Sequence, residues 1–256
     1  MKRKQSHQEK IQEQFTKQAI PFANLPGHLS SMEMLISMSK VRKTDIVLDV
    51  ACGPGLVACE FAKYANKVIG IDITEKMISE AQKKQKIENI NNIKWDIGDV
   101  TALPYEDNSF NIVLTRYSFH HFVETGIVFK EMIRVCKPNG KIMVIDVSIP
   151  DDKNEFYDQM EKLRDPSHTN ALTPKEFQKL FSDIRLINQE QSSYSVDMEL
   201  EAQLKASFPN PGDDDKLRII FKNDIGIDKL GVNAHFINNE IHFSYPISIY
   251  MAIKRE

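Results

Sequence analysis

Apolar residues in the first half of the chain come in short runs separated by longer stretches with helical spacing. Residues 46–51, IVLDVA, form an apolar run that stops at a glycine turn, which predicts a buried strand. From residue 55, GLVACEFAKYA repeats its apolar positions at helical spacing. KVIGID at 67–72 predicts a second strand, and residues 74–87 an amphipathic helix with Thr74 as its cap. Strands at 92–99 and 109–118 follow. A helix over 128–136 is expected to stop at the KPNG turn, before a fifth strand at 141–148. Strands alternating with helices predict a parallel sheet with helices on both faces.

Beyond Pro150 the alternation breaks. Helices are expected over 155–165 and 173–183, the latter with Thr173 as cap and Pro174 at its first position. A strand is expected at 184–196 and helices at 197–207 and 213–225, with Asp213, Asp214 and Asp215 at a helix start rather than on a metal. The closing stretch suggests a hairpin turning at Asn238 and Asn239, whose last strand is at or near a sheet edge.

The 256 residues suit one large domain, and 41% hydrophobic residues suffice for its core. Three cysteines, Cys52, Cys59 and Cys136, suggest neither a disulfide framework nor zinc, so a reducing, cytoplasmic setting is expected. The start is basic but is not followed by an apolar stretch of the kind a secretory signal needs, and no run is long enough to span a bilayer. A net charge of −3 argues against a nucleic-acid partner.

Ligands of such sheets sit at the carboxyl ends of the strands. That rule places Asp49 to Gly55, Asp72, Asp99, Arg116 to His121 and Asp146 on one rim. Gly53-Pro54-Gly55-Leu56-Val57-Ala58 fits the dinucleotide pattern G-x-G-x-x-A, with Asp72 placed for a ribose. Asp49 speaks against a dinucleotide, because its carboxylate would repel a pyrophosphate lying over the turn. S-adenosylmethionine has no phosphate and carries a sulfonium and an ammonium, which an acid at the strand end favours. Asp72 could then accept both ribose hydroxyls. Ile73 and Met77 would pack on adenine, while Asp99 and the Val100 N–H would meet its polar edge.

VLDVACGPG, VIGIDITEKMI, GDVTALPYEDNSFNIVLTRYSFHHF and EMIRVCKPNGKIMVID carry a resemblance. The sequence resembles the class I S-adenosylmethionine-dependent methyltransferases, and among them the UbiE/YcgJ-like small-molecule group with its type 11 methyltransferase domain. LRDPSH at 163–168 and the closing MAIKRE are also similar to YcgJ-type chains. Ala51 stands where a glycine is usual in the family. The resemblance implies a Rossmann-like α/β fold. Its mostly parallel sheet would have seven strands, the last antiparallel, with a helical cap inserted. The expected division is an N-terminal helical lid at 1–43, a cofactor-binding core at 44–150, and the remaining strands with the cap at 151–256.

The cofactor set is expected to comprise Phe15, Asp49, Ala51, Cys52, Gly53, Gly55, Asp72, Ile73, Met77, Asp99, Val100, Arg116 and Tyr117. Phe15 and Phe22 would fold over the cofactor or pack on the sheet. Transfer needs a base only if the nucleophile arrives protonated. His121, ahead of His120, is the candidate, against the competing reading that one packs near the cofactor and the other caps a helix. Arg164 and His168 lie in the segment expected to roof the acceptor. No metal is expected. The implied reaction is C-, N- or O-methylation of a small acceptor, by analogy an aromatic or quinone-like ring. Methylation of a nucleic-acid or protein amine, and cofactor binding without transfer, stay open. Oligomeric state is not legible.

Overall fold

The computed structural model describes residues 5–24 and 31–256, with backbone alone for 22–24. The side chain of Phe22 therefore lies outside the described residues. Two helices, α1 (His7–Asn24) and α2 (Met32–Ser39), precede the sheet. The alternating part follows as β1 (Ile46–Val50), α3 (Leu56–Ala62), β2 (Lys67–Asp72), α4 (Glu75–Ile87), β3 (Ile93–Ile97), β4 (Phe110–Arg116), α5 (Thr125–Val135) and β5 (Cys136–Val147). A single turn of 3-10 helix, Phe119–His121, follows β4. The rest is α6 (Asn154–Arg164), α7 (Pro174–Phe181), β6 (Leu186–Glu199), α8 (Leu200–Ser207), α9 (Asp213–Asp224), β7 (His235–Ile237) and β8 (Glu240–Lys254).

The sheet order is β3-β2-β1-β4-β5-β8-β6, with β7 added on β8. β1 to β5 pair in parallel, and β8 runs antiparallel between β5 and β6. The expected seven-strand path with its reversed last strand is present. The short β7 makes an eighth strand and closes the hairpin at Asn238 and Asn239, both in the left-handed region. Period-two alternation feeds two cores, as a sheet covered on both faces requires. Val47, Ile112, Leu114, Met143, Ile145, Ile249 and Met251 pack on one face with α3, α6, α8 and α9. Leu48, Val113, Ile142, Val144 and Tyr250 pack on the other with α5 and α7.

Two local expectations shift. The KPNG stretch does not end an element. Cys136 already pairs with Phe110, and the register then slips, so Asn139 in the left-handed region forms an irregularity inside β5. The helix expected from 197 starts at Leu200. Asp197, Met198 and Glu199 instead extend β6 against Ser244, Phe243 and His242, and the Glu199 side chain accepts the Glu201 and Ala202 N–H groups as a cap. Thr173 and Glu176 form a reciprocal cap on α7. Among the described residues no helix is long and apolar enough to cross a membrane.

Candidate active site

The turn after β1 holds three left-handed residues, Ala51 (φ 54°), Gly53 (φ 52°) and Gly55 (φ 77°). Left-handed backbone at Ala51 explains the usual preference for glycine there. Gly55 has a second reason. A Cβ on it would stand 2.5 Å from the Trp95 ring and 2.9 Å from Ala81. The start of α3 thus lies hard against the chain's one tryptophan. Asp72, at the end of β2, locks this turn: its Oδ2 accepts the Gly53 N–H at 2.9 Å and its Oδ1 the Thr74 N–H at 2.8 Å. Thr74 stands at the N-cap of α4, but its hydroxyl makes no capping hydrogen bond, and its backbone N–H is held by Asp72.

These ends frame a chamber of about 240 Å³. Of the expected cofactor set, Phe15, Ala51, Cys52, Gly53, Asp72, Ile73, Met77, Asp99, Val100, Arg116 and Tyr117 line it. Gly55 and Asp49 do not. Gly55 faces Trp95, and Asp49 is buried beneath the turn. Burial pushes the Asp49 carboxyl up to about 8; Asp72 adds to the rise, while the Ala58 N–H and Arg116 oppose it. Among the described residues its buried Oδ2 meets no donor. Burial raises Asp72 as well, against the pull of its backbone donors. The Arg116 guanidinium lies 4.3 Å from the Tyr117 ring centre and donates to the Tyr117 and Tyr194 hydroxyls at 2.8 and 3.0 Å.

Helix α1 crosses the chamber mouth. Gln8 Nε2 donates to Asp99 Oδ2 at 2.6 Å, and Gln12 to the Ile73 carbonyl at 3.1 Å. The His7 ring donates to the His121 carbonyl at 2.8 Å. Phe15 meets the His121 ring edge-on, with centroids 4.8 Å apart. His7, Gln8 and Ile11 line the chamber, as do Ser118, Phe122 and Val123. Ser118 falls in the rim expected at Arg116 to His121, and a lid was expected over 1–43, but His7, Gln8, Ile11, Phe122 and Val123 were not singled out from the sequence. Gln8 and Asp99 are 91 positions apart, and a polar helix face has no local mark that distinguishes a lid from a solvated surface.

A second cavity, about 70 Å³, adjoins the first, and Phe15, Tyr117 and His121 line both. Its other walls include His120, Asp146, Tyr157, Glu161, Arg164, Asp165 and Tyr245. Arg164 is ion-paired with Glu161 at 2.6 Å and donates to Ser207 Oγ at 3.0 Å. His168 does not reach this wall. Its Nε2 binds the Asp158 carboxylate at 2.7 Å, and the same oxygen accepts the Ala171 N–H, so His168 ties α6 to the loop behind. The geometry thus separates the two residues assigned to the acceptor: Arg164 lines the cavity, and His168 stands one layer back, its ring centroid 5.5 Å from that of His120.

The two adjacent histidines also differ. His121 donates from Nδ1 to the Ser167 carbonyl at 3.1 Å, and burial, with the neighbouring His120, holds it well below the usual histidine range. His120 holds Asp146 Oδ1 at 2.6 Å through Nδ1. Burial opposes its protonation, but the Asp146 carboxylate more than offsets this and lifts it above the ordinary value. Asp146 is fixed in turn by the N–H groups of Phe119 at 2.6 Å and Val147 at 2.7 Å.

A doubly wound sheet of this strand order, with its reversed strand and a chamber over the ends of β1 and β2, defines the class I methyltransferase architecture. Residues 42–205 match the model of a methyltransferase domain family, and the chain belongs to that family. It is 28% identical over 227 residues to the uncharacterized methyltransferase YcgJ of Bacillus subtilis strain 168, covering 87% of this chain and 89% of the relative. The crystal structure of YcgJ superposes with a TM-score of 0.81 at 26% identity, over 88% of this chain and 98% of that one. A demethylmenaquinone methyltransferase of Lactobacillus johnsonii is 33% identical over 146 residues, 50% of this chain and 60% of that protein. For the fold alone, a Haemonchus contortus phosphoethanolamine N-methyltransferase, solved with phosphomonomethylethanolamine and S-adenosylhomocysteine, has a TM-score of 0.69 at 17% identity, over 99% of this chain and 61% of that one.

Proposed function

We propose that the protein transfers a methyl group from S-adenosylmethionine, held in the larger chamber, to a small acceptor in the adjoining one. The observation that carries this reading is the Asp49 carboxyl, buried with an oxygen that meets no donor among the described residues, under a chamber edged by Asp72 and Asp99. A cation bound there would offset the cost of burying that charge. A pyrophosphate would add to it.

The residues present fit the methionyl nucleoside. Asp72 would accept the ribose hydroxyls with the lone pairs that Gly53 and Thr74 leave. Ile73, Met77 and Val100 would enclose adenine. Asp99 would accept its amino group by sharing or releasing Gln8. Ala51, Cys52 and Gly53 would lie along the methionyl part, with Arg116, Tyr117 and Phe15 beside it. The bound donor supplies an activated methyl carbon. Phe15, Tyr117 and His121, common to both cavities, would set the line of approach, and holding two reactants in line is a large part of catalysis.

The second cavity is small and walled by side chains from α1, α6, β5 and β8, which supports a small acceptor over a polymer amine. The demethylmenaquinone enzyme among its relatives makes a quinone-like ring a reasonable first acceptor to assay. Incubating the protein with a trideuteromethyl donor and a metabolite extract, followed by mass spectrometry, tests transfer. A labelled product of low mass is expected. Label confined to protein or RNA would favour a polymer acceptor. Cofactor binding with no labelled product would favour a binding protein without transferase activity.

A further inference from the structure

We propose that His120, oriented by Asp146, is the general base of the second cavity, and that the cavity takes a neutral aromatic or enolic acceptor bearing an ionisable hydroxyl. The inference rests on the methyl-transfer reading and adds the proton path and the acceptor class.

The geometry is that of a base held by a third group. His120 lines the cavity, its Nδ1 holds Asp146 at 2.6 Å, and backbone N–H groups fix Asp146 from both sides. That leaves Nε2 as the ring nitrogen to take a proton. His121 is the poorer base: its ring carries Nδ1–H toward Ser167, and charge on it would be buried without a carboxylate at hydrogen-bonding distance among the described residues. The groups around His120 are Asp146 on β5, His121 in its own turn, Glu161 and Arg164 on α6, and His168 in the loop after α6.

Charge decides the acceptor class. Among the described residues that line the cavity, Asp146, Glu161 and Asp165 face a single fixed cation, Arg164, so with neutral histidines these groups carry an excess of two negative charges. A carboxylate or phosphate acceptor would be repelled. An ammonium would be attracted but held protonated, with no lone pair to attack. A neutral hydroxyl avoids both problems, provided its proton leaves as the new bond forms, because a free oxyanion beside three carboxylates is costly. Tyr117, Tyr157, Tyr245 and Phe15 supply aromatic walls. In the transfer, the acceptor O–H proton passes to His120 Nε2, and the resulting imidazolium is stabilised by Asp146. The oxygen forms its bond to the methyl carbon as the carbon–sulfur bond breaks, and sulfur keeps the electron pair.

The test uses the full chain saturated with S-adenosylhomocysteine, 4-nitrophenol as probe, and nitrogen-15 NMR of labelled histidines. The probe is expected to bind in its colourless, uncharged form and to shift the His120 Nε2 resonance, with at least a tenfold loss of probe affinity in His120→Asn. In Asp146→Asn the His120 titration should move to lower pH. If His120→Asn does not fold, His120→Gln serves in its place, and the same tenfold loss is expected. Benzoate and benzylamine should bind more weakly than the phenol. Binding of the yellow anion, a shift at His121 alone, tighter benzoate or benzylamine binding, or unchanged affinity in both His120 variants overturns the inference while leaving transfer standing. Failure of the wild type to bind S-adenosylhomocysteine overturns the transferase reading and this inference with it.

Discussion

If Asp49 sits under a cationic ligand, binding must be linked to a proton. The free carboxyl titrates at about 8 because burial and Asp72 disfavour its charge. At pH 7, one unit lower, it is roughly 90% protonated. A cation within about 4–6 Å typically lowers a carboxyl pKa by 1–3 units. Taking about two, the bound value is near 6 and the group is roughly 90% ionised at pH 7, so binding releases about 0.8 proton. The sign is fixed. Affinity rises with pH, steeply between about 6 and 8, and gains about a hundredfold, roughly 2.7 kcal/mol, from one plateau to the other. Titration calorimetry of S-adenosylmethionine in buffers of different ionisation enthalpy measures the protons released. Asp49→Asn should abolish this component and bind near the weak plateau. Subtracting it removes the ligand's own ionisations. Identical proton release in the two proteins would refute the reasoning. Stability should move the other way: the folded pKa is raised, so the wild type without ligand loses stability as pH climbs toward 8, and Asp49→Asn does not.

Other outcomes can be checked separately. Asp72→Ala should lower S-adenosylhomocysteine affinity at least tenfold, from loss of a charge-assisted pair of about 1.5–3 kcal/mol, and should speed amide exchange at Gly53 and Thr74, whose N–H groups it holds. Ala51→Gly should stabilise the fold by about 0.5–1 kcal/mol in urea unfolding, relief of the left-handed alanine outweighing added chain entropy. Arg164→Ala leaves the Glu161 carboxylate buried and unpaired, so a loss of about 3–5 kcal/mol is expected, and Arg164→Ala must be assayed for folding before any statement about acceptor choice. Hydrogen exchange over α6, α8 and α9 should slow when both ligands are bound if these helices form a cap; equal protection would count against one.

The sheet and the floor of the larger chamber were legible because their signals are local. An apolar run, a turn needing left-handed residues and a carboxylate at a strand end lie within a few positions of one another, as in 47–55 and 68–78. Phe15 and Arg164 were placed over the site from the sequence, but the pairings that hold the roof were not, because it is assembled from distant pieces. Gln8 reaches Asp99, Gln18 reaches Asp165 and Tyr245 reaches Glu161, pairings that no periodicity encodes. The histidine pair was legible as a pair, but its roles were not. Which ring meets a carboxylate depends on β5, which places Asp146 26 positions after His120. LRDPSH was legible as a cluster, but Arg164 at the end of α6 and His168 in the loop beyond it fall on different sides of that wall.

The central claim, that the turn after β1 serves a sulfonium nucleoside rather than a dinucleotide, is tested most directly by calorimetry on the wild type with S-adenosylmethionine, S-adenosylhomocysteine and NAD in parallel. Binding of the first two with one site per chain, and none of NAD, is the result expected from the buried Asp49 and the acid-edged chamber. Micromolar binding of NAD, with none of either sulfur compound, would contradict it.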